Sequence, residues 1–345
     1  MTHFTPTSSW KMNAMKFKSL TLAAGIALSP LAASAETVLK MAAVAPSGSP
    51  WGKWGTAVAA KVEEVSGGEL KIELLFDAQA GDEQTILRQT MKGRLDIAFV
   101  SNAPLTLISE ELAIPSSPYL FESTEQGSCV AHQHMAEVLG EMMDSAGVVP
   151  LTWMEVGHNV LFSKDPVKVP SDLNGKKVRI APTIADVALT NAIGASGVPM
   201  GTTDAIPALQ TGSVDAAVFP TVFGIAIGTH KVAPNVIVTN HSRLIGTVAV
   251  SKRVWSKLSA QEQQWLSAVF SGAGPQLTDI ILGAEKALLG QIEDAGIPVH
   301  YLSEEELAAW KAAAADVPAA VAAEAGGNAE TLVDALSAAK TACGS

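Results

Sequence analysis

Between Gly175 and Pro220 the chain reads GKKVRIAPTIADVALTNAIGASGVPMGTTDAIPALQTGSVDAAVFP, a strand, a helix, a loop, a second helix and a second strand. KKVRI alternates charged and β-branched residues and runs into Pro182, which stops a strand and opens a helix. VALTNAIGASG is a short amphipathic helix closed by glycine, and DAIPALQTGSVDAAVF is a second helix, a glycine stop and a buried strand. Together they make one α/β unit with Arg179 at the C-terminal end of a strand. Ligands of open α/β sheets bind outside the carboxyl ends of the strands, where a planar two-pronged donor can meet a carboxylate. The competing reading of Arg179 is an ordinary surface arginine.

The same grammar recurs upstream. TVLKMAAVAP reads as a first strand entering the loop PSGSPWGKWG, followed by the helix TAVAAKVEEVSGG and the strand ELKIELLF. A loop after a strand sits at the carboxyl edge of the sheet, so Ser47, Ser49, Trp51 and Trp54 are cleft candidates. Trp54 falls to the helix core and Trp51 to the ligand. DAQAGDEQTILRQTMKGRLDIAFVS repeats strand, loop, helix and strand, and leaves Ser101 and Asn102 at that edge. A strand through LTWME passes Gly157 and is followed by a strand holding NVLFS. VIVTN and TVAVSK read as two further strands. Ser259 and Glu262 form a capping box for a helix reaching to Gly296, and the GAGP run at Gly272–Pro275 predicts a break or kink in it.

The chain has 345 residues, enough for two domains, and a formal charge of −11. Residues 1–35 carry Lys11, Lys16 and Lys18 and no acid, followed by an apolar run, Leu20–Leu31, and an A-S-A site before Glu36. This is the pattern of a secretory signal peptide, with Met15 as the more usual start than Met1. The run is too short for a membrane span, and no cysteine stands at the cleavage site to carry a lipid anchor. Without the leader the charge becomes −14, which argues against nucleic acid or an anionic membrane surface as partner. Two cysteines remain, Cys129 and Cys343. In an oxidising compartment they either form one long-range bridge or stay as unrelated thiols. Neither has a histidine at zinc-site spacing, so no metal is expected.

An enzyme must show a nucleophile, a base or a metal, and this chain has no G-x-S-x-G elbow, phosphate-binding loop, H-E-x-x-H helix or complete G-x-G-x-x-G. The seven histidines are scattered, and His132 and His134 lie two apart on a predicted helix, where side chains do not face each other. Binding without cofactor or catalytic residues is the expectation.

VRIAP, then GASGVPM, then ALQTGSVDAAVFP resembles the signature of the TRAP-type, DctP-like extracytoplasmic solute-binding proteins, whose pattern runs LRVP, GA-x-P-x-PM, ALQTG-x-VDG-x-E-x-P. The resemblance extends from about Val38 to about Gly296 and includes QAGDEQTILRQTMKGRLDIA. It implies a two-domain periplasmic-binding-protein-like α/β fold, each domain a mixed sheet flanked by helices, with a long helix spanning both. The implied division is a domain I of 36–156 plus about 245–284 and a domain II of 157–244 plus about 285–345, with the ligand cleft between. The crossing near Gly157 lines the cleft in the family, which makes Trp153, Glu155, His158 and Asn159 site candidates. Glu155 stands as a hinge hydrogen-bonder, a partner of Arg179 or an exposed charge.

The departures from the family pattern are as informative. Where many carboxylate-binding members carry a second arginine this chain has Asn159, and VDAAVFP puts Val218 and Phe219 where Glu and a polar residue or Trp are usual. One cationic anchor in a more apolar cleft favours a monocarboxylate with an apolar or aromatic body over a dicarboxylate or a sialic-acid-like sugar acid. The function implied is a monomeric periplasmic receptor that closes on an organic acid and delivers it to two integral-membrane TRAP subunits. The alternatives are the binding component of an ATP-driven importer, or an exported enzyme.

Overall fold

The structure, a computed structural model, describes residues 36–344. The leader, its A-S-A site and the choice of Met1 or Met15 lie outside the described residues. The chain opens with β1 (Thr37–Ala42), α1 (Pro50–Val65), β2 (Leu70–Leu75), α2 (Glu83–Met91) and β3 (Ile97–Ser101). Helices α3 (Thr124–Cys129) and α4 (Met135–Ser145), separated by a π-helical turn, lead to β4 (Val148–Ser163). The stretch that anchors the sequence reading becomes β5 (Lys177–Ile180), α5 (Ile184–Ala192), β6 (Ser196–Pro199), α6 (Thr202–Thr211) and β7 (Ala216–Pro220). There follow α7 (Thr221–Ala226), β8 (Asn235–Val238), β9 (Arg243–Ser251), α8 (Lys252–Trp255), α9 (Ala260–Asp294) and β10 (Val299–Tyr301). Three helices end the chain, α10 (Glu304–Ala313), α11 (Val317–Ala325) and α12 (Ala329–Cys343).

The strands run in the order β2-β1-β3-β9-β4-β7-β5-β6, with β8 joining β4 and β10 joining β8. β1 is parallel to β2 and β3, and β5 is parallel to β6 and β7, whereas β4 and β9 run antiparallel to their neighbours. β4 serves two half-sheets. Its first part, Val148–His158, pairs with β9, and its last residues, from Asn159 on, pair with β7 and β8. The result is a two-domain fold in which each mixed half-sheet is flanked by helices.

Several local expectations need correction. LTWME and NVLFS form one strand, not two, because Gly157, at φ +117°, takes up a register shift without ending the strand. At that φ any other residue is strained, and a Cβ at Gly157 would also push on Glu285 Oε1, 2.7 Å away. The loop between α5 and α6 contains an edge strand, β6, too short and proline-bounded to show periodicity. Helix α1 begins at Pro50 rather than after WGKWG, since Ser49 caps it and Pro50 is pre-set for the first turn. Thr183, not Pro182, starts α5 by accepting from the Asp186 N–H.

The GAGP run does not break α9, which continues for 35 residues, about 50 Å at the usual rise. Pro275 deprives the Ser271 carbonyl of a partner, but Ser271 is exposed and water can replace the lost bond. On the inner side packing holds the helix. The Trp54 indole N–H donates to the Ala273 carbonyl at 2.9 Å, and Gly274 sits so close to β4 that a Cβ would come within 2.3 Å of the Trp153 carbonyl. α9 touches α1 and β4 through its middle and also meets α7 and β10, so it runs along both half-sheets. Its capping box at Ser259 and Glu262 is present. No helix among the described residues is long and apolar enough to cross a membrane.

At the C-terminus α12 lies on α3 and α4, and α11 lies on α5. Cys129 and Cys343 are joined in a disulfide across 214 residues. In the chain-entropy account a closed loop of that length restricts the unfolded chain by up to roughly 5 kcal/mol. Thiol labelling of unreduced, denatured protein from an oxidising compartment is therefore expected to find no free cysteine, and two labels per chain would refute the bridge.

Candidate functional site

The carboxyl ends of β1, β3, β5 and β7 converge on one cavity, as expected for parallel strands feeding loops to the same edge. It encloses about 940 Å3 of empty space, its open mouth included. Ala43–Ala45 follow β1, Ser101 and Asn102 end β3, Arg179 nears the end of β5, and Val218–Pro220 end β7. Helix starts complete the wall with Trp51 from α1, Glu83 from α2, Asp186 from α5 and Thr202 from α6. Trp51 and Phe223 meet edge to face at 6.1 Å, joining a helix of the first half-sheet to one of the second.

Arg179 is buried at 3% exposure. Its Nη1 donates to the Val218 carbonyl at 2.8 Å and its Nη2 to the Met200 carbonyl at 3.0 Å, while the guanidinium lies 4.1 Å from the centre of the Phe219 ring. These contacts hold the plane of the fork and leave Nε buried with no partner. Burial pushes the Arg179 pKa down to about 10, offset by the nearby Asp186, Glu83 and Asp204 carboxyls, so the group stays charged at neutral pH.

Glu83 and Asp186 are the cavity's acids. Burial raises the pKa of Glu83, against hydrogen bonds from the Ser101 N–H at 2.6 Å and Oγ at 2.8 Å. Burial likewise raises that of Asp186, against the Thr183 hydroxyl at 2.5 Å. Asn159 donates to Ser242 Oγ at 2.9 Å and Asn102 donates to Ser116 Oγ, and each keeps a buried Oδ1 without a partner.

Of the residues singled out in the sequence, Arg179, Asn159, Phe219, Trp51, Ser101 and Asn102 line this cavity. Trp153, Glu155 and His158 do not. The register shift between Glu155 and Gly157 re-aims β4, so that Val156 and Asn159 face the cavity. Trp153 is buried on the sheet, and Glu155 pairs with Arg243 rather than Arg179 while accepting from the Ser128 hydroxyl at 2.6 Å. The His158 N–H and Nδ1 both meet Glu285 of α9, at 2.6 and 2.8 Å. Ser49 is spent on its cap, and Trp54 is in the core. Sequence reasoning missed Glu83, Asp186, Thr202, Phe223 and Ser242. Glu83 and Asp186 were findable, as each stands in the first turn of a helix that follows a strand at the ligand edge.

A cavity walled by the strand ends of two half-sheets that share a crossing strand defines a solute-binding protein. Residues 41–324 match the bacterial extracellular solute-binding protein family 7, DctP, and the chain belongs to that family. It is similar to the C4-dicarboxylate-binding periplasmic protein DctP of Rhodobacter capsulatus, 25% identical over 84% of this chain and 87% of that one. The sialic acid-binding periplasmic protein SiaP of Vibrio cholerae is 26% identical over 84% and 88%. Among solved structures, a TRAP periplasmic solute-binding protein of Sulfurospirillum deleyianum with bound succinate superposes with a TM-score of 0.82 at 23% identity, covering 88% of this chain and 99% of that one. The sugar acid-binding DctPAm of Advenella mimigardefordensis, in complex with galactonate, gives 0.83 at 20% identity over 88% and 99%.

Proposed function

We propose that this protein is the periplasmic receptor of a TRAP transporter, binding an organic acid through Arg179 and handing it to the integral-membrane subunits. One observation carries the ligand class. A buried arginine that lines the cavity, clamped by two backbone carbonyls and an aromatic ring, keeps an Nε without a partner. An anionic oxygen supplies the missing acceptor, and a charge-assisted bond is the strong kind. Asn159 and Phe219 set the size and polarity of the pocket beside it. The relatives' named ligands, a C4-dicarboxylate, a sialic acid, succinate and galactonate, are all carboxylates.

In this reading domain I comprises 36–156 plus about 245–284, domain II the remainder to 345, and ligand binding closes the hinge at β4. Family membership favours it over an ATP-driven importer's component or an exported enzyme. A thermal-shift screen of organic acids tests it, since a ligand at about a hundredfold over its Kd stabilises by roughly 2.7 kcal/mol. A screen in which no carboxylate shifts the melt would sink the ligand class.

Export rests on the leader. Mass spectrometry of the exported protein is expected to find Glu36 at the N-terminus, and a mature chain retaining Leu20–Leu31 would overturn both the cleavage site and the periplasmic location.

A further inference from the structure

The cavity's polar wall does not match a simple anion. Glu83 and Asp186 both line it, yet among the described residues neither lies within 4.0 Å ion-pair distance of Arg179, whose hydrogen bonds go to backbone carbonyls. Each carboxyl accepts from local donors, Ser101 and Thr183, that favour its ionised form. Asn102 and Asn159, each 4% exposed, add two buried amide oxygens without partners. The wall thus holds one cationic group, two buried carboxyls and two buried amide oxygens without partners. A plain carboxylate would satisfy Arg179 but bring a further acid group into a site already lined by two buried carboxyls, leaving the two asparagine oxygens unmet.

We propose that the natural ligand is a zwitterion, with its carboxylate on Arg179 and an N–H-bearing ammonium group set among Glu83, Asp186 and the two asparagine oxygens. Such a ligand carries a group of opposite sign for each kind of ionisable group in the wall and adds no net charge. Burial raises the pKa of both carboxyls, which shows how poorly their charges are solvated without the N–H groups that an ammonium brings. The inference rests on the Arg179–carboxylate reading and narrows it.

The test is a thermal-shift panel on the mature chain with carboxylic acids in matched triplets, for example phenylalanine, 3-phenyllactate and 3-phenylpropionate, and leucine with its 2-hydroxy and unsubstituted analogues. Calorimetry follows on the skeleton that binds. The amino member is expected to bind at least about tenfold more tightly than its hydroxy and unsubstituted counterparts, because a site built around a polar group rejects analogues lacking it. Glu83→Gln and Asp186→Asn should each weaken the amino acid by a similar factor, and by clearly more than they weaken the unsubstituted acid. Equal or tighter binding of the hydroxy or unsubstituted acid overturns the zwitterion, as do neutralising variants that do not weaken the amino acid. Either result leaves the carboxylate reading standing so long as Arg179→Ala still weakens binding by at least about tenfold. A panel in which no member binds counts against both.

Discussion

Arg179→Ala is expected to weaken binding of the organic acid by at least about tenfold while the protein still folds. Truncating one partner of a buried, hydrogen-bonded charge pair costs on the order of 2–5 kcal/mol, much of it from leaving the other charge unpaired. Arg179 is 3% exposed and its Nε has no protein partner, so a ligand carboxylate there would be both desolvated and directly bonded. Arg179→Lys is expected to restore only part of the loss. The arginine meets the Val218 and Met200 carbonyls and stacks on Phe219 while keeping a further donor in reserve, and a point-charge ammonium cannot cover those positions at once. Calorimetry with the acid found by the screen, alongside a melting curve of each variant, separates binding from stability. Unchanged affinity in Arg179→Ala would reduce the residue to a structural tie between β5, β7 and the segment before α6.

The sequence made Arg179 legible because three local signals coincided: a strand ending at Pro182, a following helix, and a second strand closed by VDAAVFP. The parallel strand grammar alone also placed Trp51, Ser101 and Asn102 at the right edge. What it could not show was handedness along β4. Alternation in LTWMEVGHN puts Trp153, Glu155, Gly157 and Asn159 on one face, and only the shift at Gly157 separates Asn159 from the other two. The long helix misled for a related reason. Gly272, Gly274 and Pro275 lower local helix propensity, but tertiary contacts at Ala273 and Gly274 outweigh it. Arg243 left no local trace at all, since its partners Glu155, Ser123 and Ser128 come from segments about ninety or more residues away.

Removing either Arg243 or Glu155 is expected to cost about 3–5 kcal/mol of stability, because each would leave the other as an unpaired buried charge. Arg243, on β9, has a side chain 8% exposed, and that of Glu155, on β4, is 1% exposed. The pair has further partners, although Arg243 Nε stays buried without one. Ser128 donates to Glu155 and accepts from Arg243, the Ser123 carbonyl accepts from Nη1 at 3.3 Å, and the Glu155 N–H donates to Thr278 Oγ1 of α9 at 3.0 Å. Its side chains fasten α3 to the crossing strand just before Gly157, and Arg243 is one residue from Ser242, which anchors Asn159 in the cavity wall. Replacing both residues with apolar ones of similar volume, Glu155→Leu with Arg243→Met, should cost far less than the two alanine losses added together, as no charge is then stranded. Urea denaturation of Glu155→Ala, Arg243→Ala and their double variant measures the coupling, expected to exceed about 2 kcal/mol. Strictly additive losses would mean that the two charges do not depend on each other, and that backbone pairing between β4 and β9 holds the crossing without them.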